Sequence, residues 1–289
     1  MREFWATTRC WDCIEYPGGE VQMRLRPQCI EEARTADAII LPVKVRTTSG
    51  PIKVLQMLDA LRGLNGKARL KLYMPYLPYA RADRRFVEGD CRGLEVFGAL
   101  TAFSEATEIH ALDVHNPQAA SQTVSHLVNH PARNLILRTV VDFAAATSDD
   151  MTLLFPDEGA QIRYDHLLDL VGADKRHATK RRDPATGKLS GFEVPKIDSE
   201  NVLVVDDICD GGGTFLGIAE KLMQQPNPPK HLGLYATHGI FSKGFEELEA
   251  WYSHIYTTDS WLDSKVAGLR QNLKVWSAFE AIHNDRGTM

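Results

Sequence analysis

The sequence predicts an α/β fold with two doubly wound parallel-sheet domains. Short apolar runs rich in strand-forming residues alternate with longer segments of helical periodicity along most of the chain, and this alternation is typical of parallel sheets covered by helices. The 289 residues, 44% of them hydrophobic, are enough for two domains with their own cores. We place the first domain at 1–130, the second at 131–262, and a C-terminal segment at 263–289 that packs back on the first.

The elements follow one another in a regular series. In the first domain, apolar runs predict strands and periodic segments predict helices; the strands are 38–43, 70–74 and 108–112, and the helices are 52–64 and 92–103. In the second domain, the predicted strands are 153–155, 201–205 and 232–236, and the helices are 161–171 and 214–224. Residues 174–188 are basic and rich in turn formers, so we expect a mobile loop there.

Composition excludes several classes of protein. The formal net charge of -5 gives no basic field for binding nucleic acid. No apolar run is long enough for a signal peptide or a spanning helix, so we expect a cytoplasmic protein with no membrane partner. Cys10 and Cys13 form a C-x-x-C pair, but no second pair completes zinc spacing. Reduced cysteines near the start of a strand are the favoured interpretation.

One segment of the second domain carries the pattern of a ribose-phosphate site. A buried strand is followed by acids, three glycines and a helix start, and ligands bind at the carboxyl ends of parallel strands. Glycine N–H groups can approach a phosphate closely, and carboxylates can bind ribose hydroxyls or the waters of Mg²⁺. The alternative is a tight turn with solvated acids, which the combined pattern disfavours. The residues concerned are Asp206, Asp207, Asp210, Gly211, Gly212, Gly213 and Thr214.

This segment resembles the ribose-phosphate loop of the phosphoribosyltransferase fold group. Six further blocks are similar to segments of the ribose-phosphate diphosphokinase family, which makes phosphoribosyl pyrophosphate. They are YPGGEVQ at 16–22, MPYLPYARADRR at 74–85, ALDVHNPQ at 111–118, FPDEG at 155–159, KRR at 180–182 and ATHGIF at 236–241. The blocks stand in the family's order, so the chain resembles a shortened and diverged member, similar to relatives carried by phages.

The resemblance implies two domains of the phosphoribosyltransferase type and a specific reaction. The β,γ-diphosphoryl group of ATP would pass to the C1 hydroxyl of a ribose phosphate, and AMP would leave. Lys180 and Arg182 are implied to stabilise the transferred group, and His115 and Asp157 to bind Mg²⁺. The implied ATP-binding residues are Tyr16, Glu20, Arg81, Asp83, Arg84 and His115. The acceptor-binding residues are Asp206, Asp207, Asp210, Gly211, Gly212, Gly213 and Thr214. The family also implies a homo-oligomer.

The sequence departs from the family at both ends of the implied site. Gly211 stands where the family has threonine, which opens the 5-position of the acceptor. We therefore expect the acceptor to be ribose 5-phosphate or a 5-extended ribose phosphate, with ADP-ribose, which belongs to NAD-related metabolism, as the alternative. Gly18 replaces an aspartate and Ala82 a glutamine, so contacts with adenine are expected to differ.

Two other functions remain as alternatives. A non-catalytic, synthetase-associated regulator would have the same fold but would lose the loop cations or the metal ligands. A transferase that consumes phosphoribosyl pyrophosphate would share only the glycine loop and would lack the first domain. Lys180, Arg182, His115 and Asp157 are all present, and this favours the diphosphokinase.

Overall fold

The computed structural model describes residues 1–148, 150–165, 172–182 and 189–285. The chain divides into two compact units. Unit 1 comprises Met1–Pro131 and the segment that begins at Ala278, and unit 2 comprises Ala132–Ser277. Each unit is built on one parallel sheet, so the prediction of an α/β fold on parallel sheets is confirmed.

Unit 1 contains a five-stranded sheet in the described residues, in the order β1-β4-β5-β6-β7, with every pairing parallel. Its elements are β1 (Glu3–Trp5), β2 (Trp11–Glu15), β3 (Val21–Leu25), α1 (Pro27–Thr35), β4 (Ala38–Pro42), α2 (Gly50–Leu64), β5 (Arg69–Tyr73), α3 (Gly93–Ala102), β6 (Glu108–Leu112), α4 (Pro117–Thr123) and β7 (Leu127–His130). Strands β2 and β3 form a separate antiparallel hairpin. The predicted strands near 38–43, 70–74 and 108–112 are confirmed.

Unit 2 contains a six-stranded parallel sheet in its described part, in the order β15-β14-β13-β12-β8-β9. Its elements are α5 (Arg133–Ala146), β8 (Thr152–Phe155), α6 (Glu158–Asp165), β9 (Asp174–His177), β10 (Thr179–Arg182), β11 (Leu189–Glu193), β12 (Asn201–Cys209), α7 (Gly213–Met223), β13 (His231–Gly239), α8 (Glu246–Glu249), β14 (His254–Thr258), α9 (Ser264–Ala267) and β15 (Leu273–Trp276). The last helix, α10 (Ala278–Asp285), packs on β6 and β7 of unit 1.

The strand order of the second sheet determines where a ligand can bind. The order reverses between β8 and β12, which are neighbours although the β9–β11 segment separates them in sequence. In open parallel sheets, such a reversal leaves a crevice at the carboxyl ends of the strands, and ligands bind there. The segments that follow β8 and β12 are FPDEG at 155–159 and the glycine loop.

Burial explains why these runs form central strands. Residues 38–41 of β4 and 201–205 of β12 are all buried, as expected for parallel strands that helices cover on both faces. Proline at the first or second position begins α1, α2 and α4, where its missing N–H costs nothing. None of the helices in the described ranges is long and apolar enough to cross a membrane.

Two expectations from the sequence are wrong in detail. Strand β12 continues to Cys209, so Asp206 and Asp207 lie within the strand instead of beyond its end. The basic segment after residue 173 is not a loop where it is described, because Asp174–His177 pairs with β8 at the sheet edge and Thr179–Arg182 pairs with β11. Main-chain pairing here overrides composition. The rest of that prediction, 183–188, and part of the helix expected at 161–171 lie outside the described residues.

Candidate active site

The β2–β3 hairpin presents two of the predicted ATP-binding residues, Tyr16 and Glu20, at its tip. The N–H of Tyr16 donates to the carbonyl of Glu20 at 2.9 Å, and the turn between them needs Gly19, whose φ is +89°. Tyr16 is 46% exposed and Glu20 is exposed. Gln56 of α2 holds the hairpin by accepting from Met23 at 2.8 Å and donating to the carbonyl of Val21 at 2.9 Å. Both predicted side chains therefore stand on an anchored hairpin.

The predicted phosphate-binding arginines lie in the segment between β5 and α3. Arg81 and Arg84 are exposed, and the Arg84 guanidinium lies 5.3 Å from the centre of the Phe86 ring. Asp83 is half-buried, and its Oδ2 accepts from the Asn116 side-chain amide at 2.7 Å. The structure thus brings Asp83 together with the segment after β6, and it leaves both arginines on the solvent side.

A strained turn positions His115. Asp113 follows β6 in the left-handed region with φ at 45°, which costs a residue other than glycine about 1–2 kcal/mol. The turn is held because the N–H of Asp113 donates to the carbonyl of His130 at 2.7 Å and that of Val114 donates to Asn129 Oδ1 at 3.0 Å. His115 itself is half-buried. Strain of this kind persists only where surrounding bonds enforce it.

In unit 2, Asp157 lies between β8 and α6. Its Oδ1 accepts from the N–H of Ala160 at 2.9 Å, as a capping residue does, and the side chain is half-buried. A carboxylate at this place offers oxygen ligands of the kind that Mg²⁺ or its waters bind. The predicted catalytic pair lies on β10, where Lys180 is opposite Phe192 and Arg182 is opposite Leu189. The side chains of Lys180 and Arg182 are outside what the structure describes.

The two consecutive acids of β12 have different surroundings. Asp207 is 2% exposed, and its Oδ2 lies 2.7 Å from Nη1 of Arg163 on α6. Asp206 points to the opposite face of the strand, is half-buried, and accepts from the N–H of Asp207 at 2.9 Å. Burial, with the charges of Asp206 and Asp210, raises the pKa of the Cys209 thiol far above its ordinary value. That thiol is therefore protonated and unsuited to act as a nucleophile.

The glycine loop opens helix α7. Gly212 has a φ of +77° and precedes the first helical residue, and no side chain caps the helix. A methyl group at Gly213 would have no atom within 4 Å. The first N–H groups of a helix have no acceptor within it, so this end can receive an anion. Thr214 is half-buried in the first turn. The backbone here can thus contact a phosphate closely.

The turn after β13 completes this part of the site. Ser242 donates its hydroxyl to Asp210 Oδ1 at 2.8 Å, and buried His238 Nδ1 lies 2.8 Å from Ser260 Oγ. A Cβ at Gly239 would clash with the Phe241 ring, which explains the glycine of the ATHGIF block. Arg163 and Ser242 were not predicted from the sequence. Ser242 directly follows that block, whereas nothing local distinguishes Arg163.

The residues present suit a magnesium ion better than a metal held only by the protein. Within the described ranges, no group of three or more His, Cys, Asp or Glu could hold a metal. Mg²⁺ keeps several waters and needs only one or two carboxylates beside the phosphates of a substrate.

Cys10 is buried next to Cys29, and burial is the main reason that its thiol pKa is raised to about 11, while Cys13 is exposed. Both remain reduced cysteines in this structure.

Comparison with known proteins identifies relatives of this chain. No family model matches it. The ribose-phosphate pyrophosphokinase of Thermococcus kodakarensis is 31% identical over 232 residues, which cover 79% of this chain and 77% of that protein. The enzyme of the same name from Pyrococcus furiosus is 27% identical over 237 residues, covering 80% and 78%. The crystal structure of phosphoribosylpyrophosphate synthetase from Mycobacterium smegmatis has the same fold, with a TM-score of 0.80 at 19% identity over 100% of this chain and 99% of that one.

Proposed function

Because the chain belongs to the ribose-phosphate pyrophosphokinase family, a family of diphosphotransferases, we propose that it transfers the β,γ-diphosphoryl group of ATP to the C1 hydroxyl of a ribose phosphate and releases AMP. The observation that carries the proposal is the loop after β12. Half-buried Asp206 and Asp210 are followed by a left-handed glycine and an uncapped helix start with open space around Gly213. The acids can bind the hydroxyls of a ribose, and the neighbouring N–H groups can bind its phosphate, so the loop suits a ribose phosphate.

The acceptor roles can be assigned more finely than from sequence. Asp206 and Asp210 would bind the ribose hydroxyls, and the N–H groups of Gly213 and Thr214 would bind the phosphate. Asp207 is buried against Arg163 at 2.7 Å, so we assign it to holding the loop in place. An ion pair with this little solvent contact resists movement, because breaking it leaves a buried charge unpaired.

The ATP side of the proposal uses exposed cations. Arg81 and Arg84 would bind phosphate oxygens in the forked geometry of guanidinium, and Tyr16 and Glu20 would contact the adenosine end. His115 and Asp157 each offer a ligand to Mg²⁺, which when bound neutralises charge on the phosphates. Lys180 and Arg182 would stabilise negative charge on the transferred group as the sugar hydroxyl attacks the β-phosphorus. The proposal needs no covalent intermediate, and it includes a homo-oligomer.

A second acceptor, ADP-ribose, is supported by the glycine run. Gly213 is exposed, with no atom within 4 Å of the place that a methyl group would take, whereas the space over Gly211, which the sequence predicted to be open, holds the side chain of Lys243. A ribose whose 5-phosphate continues into a diphosphate needs such room at this end of the loop. The same transfer to C1 would apply, because only the group beyond C5 differs.

AMP release from Mg-ATP, with ribose 5-phosphate and with ADP-ribose as acceptors, tests both versions. We expect AMP in equal amount to pyrophosphorylated acceptor, and absence of AMP with both acceptors contradicts the proposal. Equal or exclusive use of ribose 5-phosphate rules out ADP-ribose as the preferred acceptor.

Lys180→Ala tests the assigned chemistry. We expect turnover to fall by about 100-fold or more, while ATP binding and thermal unfolding stay unchanged. Arg176→Ala is the matched control, because Arg176 is a basic residue of the same segment in an exposed ion pair with Asp174. Turnover that survives in Lys180→Ala shows that the mechanism is wrong. ATP binding by the wild-type protein without AMP release favours the non-catalytic regulator.

A further inference from the structure

We infer that Lys243 determines acceptor specificity by pairing its ammonium group with the phosphate carried on C5 of the acceptor. The inference rests on the proposed function, since it concerns the same acceptor loop. Lys243 lies in the turn that follows β13, outside every block that resembles the family. The chemical class of ligand is a sugar with an anionic group beyond C5.

Main-chain hydrogen bonds fix this turn beside the acceptor loop. The N–H of Ile240 donates to the carbonyl of Cys209 at 2.8 Å, and that of Ser242 donates to the carbonyl of Asp210 at 3.0 Å. The Ser242 hydroxyl also donates to Asp210 Oδ1 at 2.8 Å. Phe241 and Gly244 both have positive φ, at 47° and 84°, so the chain turns sharply on either side of Lys243. The loop itself therefore sets the position of this lysine.

The Lys243 side chain lies over Gly211. A Cβ on Gly211 would be 3.5 Å from Cδ and from Cε of Lys243, and 3.7 Å from its Cγ. These are ordinary van der Waals distances, so the methylenes lie alongside the backbone of the glycine loop. The ammonium group follows one bond beyond Cε. Gly211, which has no side chain, and the long side chain of Lys243 therefore lie together at the end of the proposed acceptor site that would face C5 of the sugar.

The charge of Lys243 is available to a ligand. Lys243 is exposed and makes no ion pair within the described ranges. Two of the acids nearby in sequence have another partner, because Glu246 lies 2.8 Å and Glu249 lies 2.5 Å from Arg270. An unpaired ammonium beside the uncapped start of α7 can donate a charge-assisted hydrogen bond to the phosphate, in addition to the bonds that the backbone N–H groups donate.

Lys243→Met removes the charge and keeps the length of the side chain. We expect the acceptor KM to rise about tenfold, the value of one partly exposed charge-assisted bond, with kcat and the KM for ATP changed by less than about threefold. Lys243→Arg should restore most of the acceptor affinity. The matched control is Lys221→Met, an exposed lysine near the far end of α7, for which wild-type constants are expected.

Direct binding separates this inference from the proposed function. Calorimetric titration with ribose 5-phosphate should show about tenfold weaker binding to Lys243→Met, and raising NaCl from about 50 to about 250 mM should weaken wild-type binding more than binding to the variant. A wild-type protein that releases no AMP disproves the proposed function, yet this titration still decides on Lys243. Equal affinity of the two proteins, or binding by neither, overturns the inference.

Discussion

Two polar regions of the parallel sheets differ in whether their charged groups are paired within the protein or accessible to a ligand. In unit 1, Glu108, His110, His130 and Asp285 form a continuous series of hydrogen bonds, the histidine chain, with distances of 2.8, 2.9 and 2.8 Å. His110 is 3% and His130 1% exposed. In unit 2, the end of β12 and the loop after it have half-buried acids and an exposed glycine, and exposed Lys243 of the turn after β13 lies beside them. The first region is closed on itself, and the second is open to a ligand.

Counting protons shows how the histidine chain is stabilised. Three hydrogen bonds need three protons, but two neutral imidazoles supply only two. The carboxylates of Glu108 and Asp285, one at each end of the network, therefore favour a third proton on the two rings. Lys71 Nζ lies 3.1 Å from Glu108 Oε2 and is a further cation beside that carboxylate. Because Asp285 belongs to α10 and His130 to β7, the histidine chain attaches this helix to that strand.

The residues that stabilise the fold are thus separate from the residues that can bind a ligand. A closed network with a buried centre contributes to stability, because His110 and His130 stay buried when they lose a partner. An open loop contributes little to stability and leaves its groups to a ligand. Variants in the first region should therefore reduce the free energy of unfolding, and variants in the second should reduce activity.

The largest effect is expected for His130→Phe. Phenylalanine fills a similar volume but cannot bond to His110 or Asp285, so we expect a loss of about 3 kcal/mol in the free energy of unfolding. Urea unfolding followed by tryptophan fluorescence measures it, since the Trp5 ring lies 5.7 Å from that of His283 on α10. His231→Phe, at an exposed position of unit 2, should change stability by less than about 0.5 kcal/mol. Similar losses in both variants would contradict the comparison.

Asp210→Asn should show the reverse behaviour. The amide oxygen still accepts from the Ser242 hydroxyl, which is 2.8 Å away in the wild type, so stability should change by less than about 0.5 kcal/mol. Loss of the charge should lower kcat/KM for the acceptor by about 100-fold, close to 2.7 kcal/mol in transition-state stabilisation. Asp263→Asn is the control, because Asp263 likewise accepts one hydrogen bond, from the N–H of Lys265 at 3.1 Å. A large loss of stability in Asp210→Asn would show instead that this loop stabilises the fold.

The sequence predicted those features that depend on local patterns. The strand at 108–112 and the run Asp210 to Thr214 could be read from apolar runs, glycines and the order of blocks. Strands β14 and β15 were missed because HIYTT and LKVW mix polar with apolar residues and have no long apolar run. The basic segment was misjudged because pairing at the sheet edge is a tertiary property.

Contacts between distant residues explain what remained hidden in the site. Arg163 is 44 positions from Asp207, and Lys243 reaches Gly211 only because β12 and β13 pair with Cys209 opposite Gly239. Register between strands sets such contacts, and no short pattern encodes it. The roles of Lys180 and Arg182, by contrast, still rest on the sequence resemblance.

Adjacent glycines of the loop provide a smaller and sharper test. Gly212→Ala places a side chain at φ +77°, with its Cβ 3.3 Å from Leu248, and should cost about 1–2 kcal/mol. Gly211→Ala has no positive φ to oppose it and meets only the flexible Lys243 side chain at 3.5 Å. Its stability should stay within about 0.5 kcal/mol of the wild type or rise slightly, as the unfolded chain loses freedom. Thermal unfolding compares the stability of the two variants. Equal losses of stability would show that the positive φ of Gly212 is not the cause of the effect.

The smallest effect is expected in the pH dependence of the histidine chain. Burial raises the pKa of Glu108, but hydrogen bonds from His110 and Lys71 outweigh it, so the pKa lies below its ordinary value of 4.5. Glu108 therefore binds a proton more readily in the unfolded state than in the folded state. The stability that it contributes is present above pH 4.5 and is lost as the pH falls through the lowered pKa. The side chain is 30% exposed, so solvent screens the effect. The stability advantage of the wild type over Glu108→Gln should shrink as the pH is lowered from about 6 to about 3. An equal trend for Glu220→Gln, on α7 of unit 2, would assign the effect to net charge and remove the distinction between the closed and the open region.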